Sequence, residues 1–390
     1  ISSSYGSTRA EQERFFQDAS KLKEQAIAIG TYGIDGRGSI MDINKVSGVQ
    51  EELSKSGVSA DEMLNTNIVK DVVRFSEAND IDTRTATEFA VTLGNQFGVK
   101  KEDWGEMLDK VTHTADMSVI DVKDVVQSMK YAGGISSGIG RDLEETLGMI
   151  AVLGNFGLKG SQGGTGIQAL FTRILTGDTT VITQAQKDIA PPKALEKFYE
   201  FEKSVKPNGK LLPMTDVIDQ LDEAMSDMTD EEQAWFAKKL FGLYQMKAAY
   251  GLLNGDETDL NDVIKEIEEQ SGGTNQRKLD QLLGSQYGQL TSLGNLWSGI
   301  KVDFGDRLSP FVQAIRDELF SFLSNDGNYT INFDNLRGAL DESAKLIEEK
   351  YGSAIADAVR NIGGITIDLT QIGVEIGPEF ADGLVNMLNS

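Results

Sequence analysis

The sequence predicts a mainly α-helical protein: a multi-helix core of short, glycine-hinged helices, with short β segments confined to the C-terminal end. Three observations carry this expectation. Apolar residues recur at three- and four-residue steps along most of the chain, and helix-start signals stand ahead of several of these runs. The third is the glycine count: 41 in 390 residues interrupt the helical pattern too often for one continuous rod.

Taken in order, Thr8 and Glu11 have capping-box spacing, and Phe15, Ala19, Leu22, Ala26 and Ile29 line one helical face until Gly30, where the helix is expected to stop. Thr31 to Asn44 carries three more glycines and reads as a linker, so a first boundary falls near residue 50. Ser59 and Glu62 form a capping box ahead of Leu64, Ile68, Val72 and Phe75. Ser118 with Asp121 opens a helix bearing Val122, Val125, Val126 and Met129. LGNQFGVK (Leu93 to Lys100) is echoed by LGNFGLK (Leu153 to Lys159), which suggests duplicated helix pairs, although two copies do not make a solenoid.

Four of the six prolines, Pro191, Pro192, Pro207 and Pro213, then break the chain into shorter pieces. Thr229 and Glu232 cap a helix carrying Trp235, Phe236, Leu240, Phe241 and Leu243, expected to run until Gly251 and Gly255. A helix over Leu260 to Gln270 ends at the break Ser271 to Thr274, and Ser309-Pro310 is a strong helix start. Tyr329, Ile331 and Phe333 alternate like a strand, and a helix over Asn335 to Tyr351 follows. Ile365 to Ile376 reads as two short strands.

Composition limits the function classes. With 61 acidic against 37 basic residues the net charge is -24, a field that repels phosphate, so nucleic acid is not an expected ligand. No cysteine is present, which removes disulfides, thiolate nucleophiles and sulfur-ligated metals. The chain starts at Ile1 with no basic-then-apolar leader, so it reads as a piece of a longer protein without a visible targeting peptide.

The motifs that suggest chemistry are each outweighed by a structural reading. Gly164-Thr165-Gly166-Ile167-Gln168-Ala169 satisfies the dinucleotide fingerprint after the strand-compatible Met149 to Leu153, with Asp188 as a ribose acid, but ten residues separate strand from glycines where a phosphate loop allows a tight turn. The structural reading is that these glycines let two helices cross closely, while Ile167, Leu170, Phe171 and Ile174 pack inward. Lys159-Gly160-Ser161 has the wrong order for a phosphate loop, and Asn208-Gly209-Lys210 lacks both the first glycine and the hydroxyl residue. His113 is the only histidine and has no nucleophile elbow or paired histidine beside it. Asn254 to Asp262 is acidic but lacks the glycine and terminal glutamate of a calcium loop. Gln281 to Ile300 is uncharged, with Gly284 and Gly288 at membrane-helix spacing, yet too polar to reside in lipid. No catalytic, cofactor-binding or metal-binding residue set is predicted, and no cofactor.

The stretch GNFGLKGSQGGTGIQALFTRIL (Gly154 to Leu175) resembles the core of phage tail tape measure proteins. Its surroundings share the resemblance: DVKDVVQSMKYA (Asp121 to Ala132), LEETLGMIAVLG (Leu143 to Gly154) and KLFGLYQMKAAYGLL (Lys239 to Leu253) stand in that family's order. The likeness runs from about Glu51 to Asn254 and more faintly over Leu293 to Ile315. Together with the signals along the chain it gives four expected regions: an N-terminal helix and linker (1–50), the helical core (51–258), a downstream helical segment (259–325) and a C-terminal helix with short strands (326–390).

The resemblance further implies a structural virion protein rather than an enzyme, one that scaffolds the tail tube and sets its length. It would sit in the tail lumen or tip after assembly in the host cytoplasm, and assist genome ejection. Implied partners are its own copies, as a trimer, together with the tail tube protein, distal tail and tail-tip proteins, tail assembly chaperones and the host membrane. Two alternatives stand beside it: a peptidoglycan-cleaving tail domain using glutamates such as Glu88, Glu144 or Glu145, and a bacterial helical adaptor.

Overall fold

The computed structural model describes residues 9–176, 190–241, 246–253, 260–304, 314, 333–351 and 360. Among them the regular structure is helical, with no strand. The mainly α expectation therefore holds. The chain forms two compact units, one from Ile1–Glu88 with Asn275–Ser390 and the other from Phe89–Thr274.

In the first unit, α1 (Arg9–Tyr32), α2 (Ile43–Lys55), α3 (Ala60–Asn65) and α4 (Ile68–Asn79) follow one another, and α5 (Thr83–Phe97) begins. Helix α1 packs on α2, on α3 and on α16 (Gln286–Phe304), burying Leu22, Ala26 and Ile29 as the periodicity requires. Two expectations are corrected here. Gly30 does not end α1, which continues to Tyr32; a Cβ at Gly30 would lie 2.6 Å from the Ile43 Cα, so this glycine serves the approach of α2 instead. The apolar run after Ser59 is also two helices, because α3 closes after six residues at Thr66 before Ile68 reopens the pattern in α4. The Ser59–Glu62 capping box itself is present.

The second unit holds α6 (Trp104–Asp116), α7 (Val122–Gly138), α8 (Leu143–Asn155), α9 (Ser161–Thr176), α10 (Pro192–Ser204), α11 (Met214–Met225), α12 (Asp230–Phe241), α13 (Met246–Leu253) and α14 (Leu260–Gln270). Helix α8 is its spine. Leu147, Met149, Ile150, Ala151, Val152 and Leu153 are all buried, so apolar residues occupy successive positions around the helix, and α6, α7, α9, α13 and α14 surround it. A helix apolar on every side must be enclosed on every side. Each Leu, Ile, Val or Met so buried contributes roughly 1.5–3 kcal/mol.

Corrections apply in this unit too. The cap of α7 is Asp121, whose carboxylate accepts the Asp124 amide, whereas the Ser118 hydroxyl donates to Thr114 and finishes α6. Thr229 and Glu232 do cap α12, and Gly251 lies inside α13 rather than ending a helix, while residues 242–245 between α12 and α13 lie outside the described residues. After the second unit come α15 (Thr274–Gly284), α16 and α17 (Phe333–Tyr351). Phe333 is thus helical, while Tyr329, Ile331, the start at Ser309-Pro310 and the run Ile365 to Ile376 lie outside the described residues.

One device closes five of these helices. At Gly57, Asp80, Gly98, Gly140 and Gly157 the chain turns left-handed, with φ between 48° and 88°. The amide of the following residue then reaches back five positions: Val58 to Leu53, Ile81 to Ser76, Val99 to Gly94, Arg141 to Ser136 and Leu158 to Leu153. This satisfies carbonyls that a helix end leaves open and places the next side chain against the helix. Three of these turns lead directly into a cap, since Ser59, Asp82 and Asp142 accept the amides of Glu62, Thr85 and Glu145. Stop and start occupy three residues, so consecutive helices fold back tightly. The LGNQFGVK and LGNFGLK echo is two uses of this one turn.

Candidate functional site

The densest feature of the second unit is the crossing of α7 and α9, the region singled out in the sequence. After the left-handed turn at Gly157 the chain reaches Gly160, whose carbonyl accepts the Ser128 hydroxyl at 2.7 Å. Helix α9 then lies against α7 backbone to backbone. A Cβ on Gly164 would stand 2.8 Å from the Ser128 Cα and closer still to its carbonyl oxygen. Ile167, Leu170, Phe171 and Ile174 face inward, from 0 to 4 % exposed. At Gly164 the close-crossing reading is therefore what the structure shows.

The same geometry places the other motifs. Gly164 to Ala169 lies inside α9, and Met149 to Leu153 lies inside α8. The glycines are thus helical rather than a turn after a strand, and the Thr165 hydroxyl donates to the Ser161 carbonyl. Asp188 lies outside the described residues. The Lys159 ammonium is bonded to the Val119 carbonyl at 2.5 Å, and Asn208-Gly209 forms a short 3-10 turn. His113 is half-buried, with Nε2 3.8 Å from Glu266. Residues 254–259 of the acidic loop are not described, and Leu260 opens α14. Gln281 to Ile300 is divided between α15 and α16; among the described residues no helix is long and apolar enough to cross a membrane.

The three glutamates weighed for lytic chemistry are separated by environment. Glu88 is exposed and paired with Arg84 at 2.8 Å. Glu144 meets Lys110 at 2.6 Å, beside Glu106 at 3.1 Å, in a cleft of about 540 Å³ also lined by Gln96, Leu143 and Arg141. Burial lowers the Lys110 pKa, but the two carboxylates outweigh it and hold the ammonium above its ordinary range.

Glu145 is not the helix-face charge that its position suggests. It is 6 % exposed, accepts the Met214 amide and stands 3.6 Å from Arg141. Burial pushes its carboxyl above the usual carboxylate range, against the pull of that amide and of Arg141. Arg141 also donates to the carbonyls of Leu212 (3.0 Å) and Leu211 (3.3 Å). Together the pair fastens the connector before α11 to the start of α8. Sequence reasoning missed this clasp, yet a signal existed. In the five left-handed turns the residue after the turn is Val, Ile, Val or Leu, except at Arg141.

These elements, in this order, are the ones that carry the likeness to known proteins. The family of phage-related minor tail proteins matches residues 30–242, more than half of the chain and all of the α7–α9 crossing. The chain belongs to this family. Within this minor tail family setting, the chain is similar to the tape measure protein of Pneumococcus phage Dp-1. The two are 20 % identical over 299 residues, covering 77 % of this chain and 24 % of that protein. The chain spans about a quarter of the length of this relative. No solved structure matches it. The family match and the relative agree with the tape measure resemblance carried by Gly154 to Leu175.

Proposed function

We propose that the chain is the helical core and downstream part of a tape measure protein. In this reading it scaffolds assembly of the tail tube, takes part in setting tail length, and occupies the tube lumen or tip, from which it assists genome ejection. The observation that carries the proposal is the α7–α9 crossing: the glycines that distinguish this stretch bring two helix backbones together, and the family match covers them. The work is mechanical rather than catalytic. The glutamates considered for lysis are engaged with Arg84, with Lys110, and with Arg141 and the Met214 amide.

The net charge of -24 supports a place in a channel that DNA must later traverse, because an acidic wall does not retain phosphate. The partners of this reading are further copies, as a trimer, the tube protein, tail-tip proteins, assembly chaperones and, during ejection, the host membrane. The core of 51–258 would bear the tip contacts and a long helical region elsewhere would act as the ruler. Because a helix advances 1.5 Å per residue, removing about 100 residues from that region in the full-length protein shortens the tail by about 150 Å. Electron microscopy of the particles reads this directly. Tails of unchanged length overturn the length-setting role, and zymographic clearing of cell-wall material by this chain overturns the non-catalytic one.

A further inference from the structure

The first unit contains a buried carboxyl that the tail reading does not use. Glu77, on α4, lies under the residue 33–42 loop that joins α1 to α2, and its pKa is pushed up to about 7. The cause is burial, opposed by the polar groups that face the carboxyl, first the Ser39 hydroxyl and then the backbone of Met41 and Ile40, with the weakest pull from Lys45 on α2. The other charged groups nearby are engaged elsewhere. Asp35 and Arg37 of the loop pair with each other, and Arg37 also meets Asp280 of α15. Asp42 caps α2, and Arg74 on α4 pairs with Asp71. Helix α16 brings the neutral Asn295, which donates to the Ser39 carbonyl at 2.9 Å, from a segment uncharged over 286–300.

Hydrogen counting at Ser39 gives an argument that does not depend on titration. The Ser39 hydroxyl oxygen lies 2.7 Å from the Met41 carbonyl, 3.1 Å from Glu77 Oε1 and 3.1 Å from the Met41 amide nitrogen. A hydroxyl has one proton and two lone pairs. The proton goes to the nearer oxygen, the Met41 carbonyl, and one lone pair accepts the Met41 amide. The remaining lone pair faces Glu77, and an ionised carboxylate there would set two acceptors against each other. A protonated carboxyl completes the set: Glu77 donates to Ser39, and Ser39 donates to Met41.

We infer that Glu77 is a proton-operated latch, which in its neutral form holds the loop between α1 and α2 closed against α4 and releases it on ionisation. Opening passes the carboxyl proton to water and hydrates the carboxylate. The direction follows from the raised folded pKa. Latching is complete below the ordinary glutamate range and is lost as pH rises through about 7. Release frees the turn that fixes how α1 folds back on α2.

Hydrogen exchange on the full chain tests this. After correction for intrinsic rates, protection of amides 38–42 falls about tenfold between pH 6 and pH 8 in the wild type. In Glu77→Gln the side-chain amide donates to Ser39 at every pH, so protection stays constant. A wild-type loop whose protection does not change over this range, or a Glu77→Gln protein that responds as the wild type does, overturns the latch. Should Glu77→Gln fail to fold, the Glu77 carboxyl carbon resonance of the wild type decides. A midpoint near 7 supports the latch, and one in the ordinary carboxylate range refutes it.

Discussion

Two helix pairs in the second unit are joined in opposite ways. Helices α7 and α9 meet through their backbones, with Gly164 directly against the Ser128 main chain. Helices α10 and α12 meet through rings: Phe198 and Phe201 stand edge-on to Phe236 at 5.9 and 5.8 Å, and Phe198 to Trp235 at 6.4 Å. The first joint has no free volume and tolerates nothing added. The second is built of volume and tolerates nothing removed. Stability can thus be placed either in close approach or in bulk, and the two joints should fail under opposite substitutions.

The largest effect is expected where bulk is removed. Phe198 is fully buried, and Phe198→Ala deletes the ring that three other aromatic side chains meet. A loss of about 3–5 kcal/mol in denaturant unfolding is expected. At the other joint a single methyl group is enough. Gly164→Ala drives a Cβ into the Ser128 backbone, which no rotamer change relieves, and should cost about 2–3 kcal/mol despite the better helix propensity of alanine. If Gly164→Ala proved neutral, the backbone contact would be looser than described and the contrast between the joints would disappear.

Next in size is the clasp that fastens the connector leading into α11. Arg141→Leu gives the turn at Gly140 the apolar residue found at its four counterparts, but it leaves Glu145 buried without its cation. A cost of about 2–3 kcal/mol is expected, most of it recovered in Arg141→Leu/Glu145→Gln, as a coupled pair requires. Because burial raises the Glu145 pKa, its ionised form is the destabilised one. The single variant should therefore lose further stability as pH rises above the ordinary glutamate range, and the double variant should not. Additive losses would mean that Arg141 acts only through the Leu211 and Leu212 carbonyls.

How far these joints were legible in the sequence depends on whether their cause is local. The Ser59–Glu62 and Thr229–Glu232 caps are set by residues three apart, and the helices they open begin where the spacing places them. The inward face of α9 was equally readable, since its partners are set by a 3.6-residue period. The crossing partner was not. Nothing near Gly164 points to Ser128, thirty-six positions earlier and on a helix assigned for its own apolar face. Gly30 and Gly251 misled for the same reason: a glycine that ends a helix and one that admits a neighbour look alike until the neighbour is known. Glu77 and Glu145 stand in helical sequence like surface acids, and only tertiary packing buries them.

The smallest effect is the most discriminating, because its sign is at issue. Gly133 lies on α7 one and a half turns beyond Ser128, and a Cβ there would also be too close to a neighbour, at 2.5 Å. That neighbour is the Gln96 Oε1, the far end of a flexible side chain, rather than backbone. Gln96 can rotate away towards the cleft it lines, leaving the added methyl in ordinary contact with the Met129 side chain at 3.5 Å. Alanine then restricts the unfolded chain and favours the helix by roughly 0.5–1 kcal/mol. Gly133→Ala is accordingly expected to raise the unfolding midpoint slightly, while the same change at Gly164 lowers it. If both variants are destabilised alike, what counts at this crossing is the summed tightness of α7, and the distinction between meeting a backbone and meeting a movable side chain does not decide the outcome.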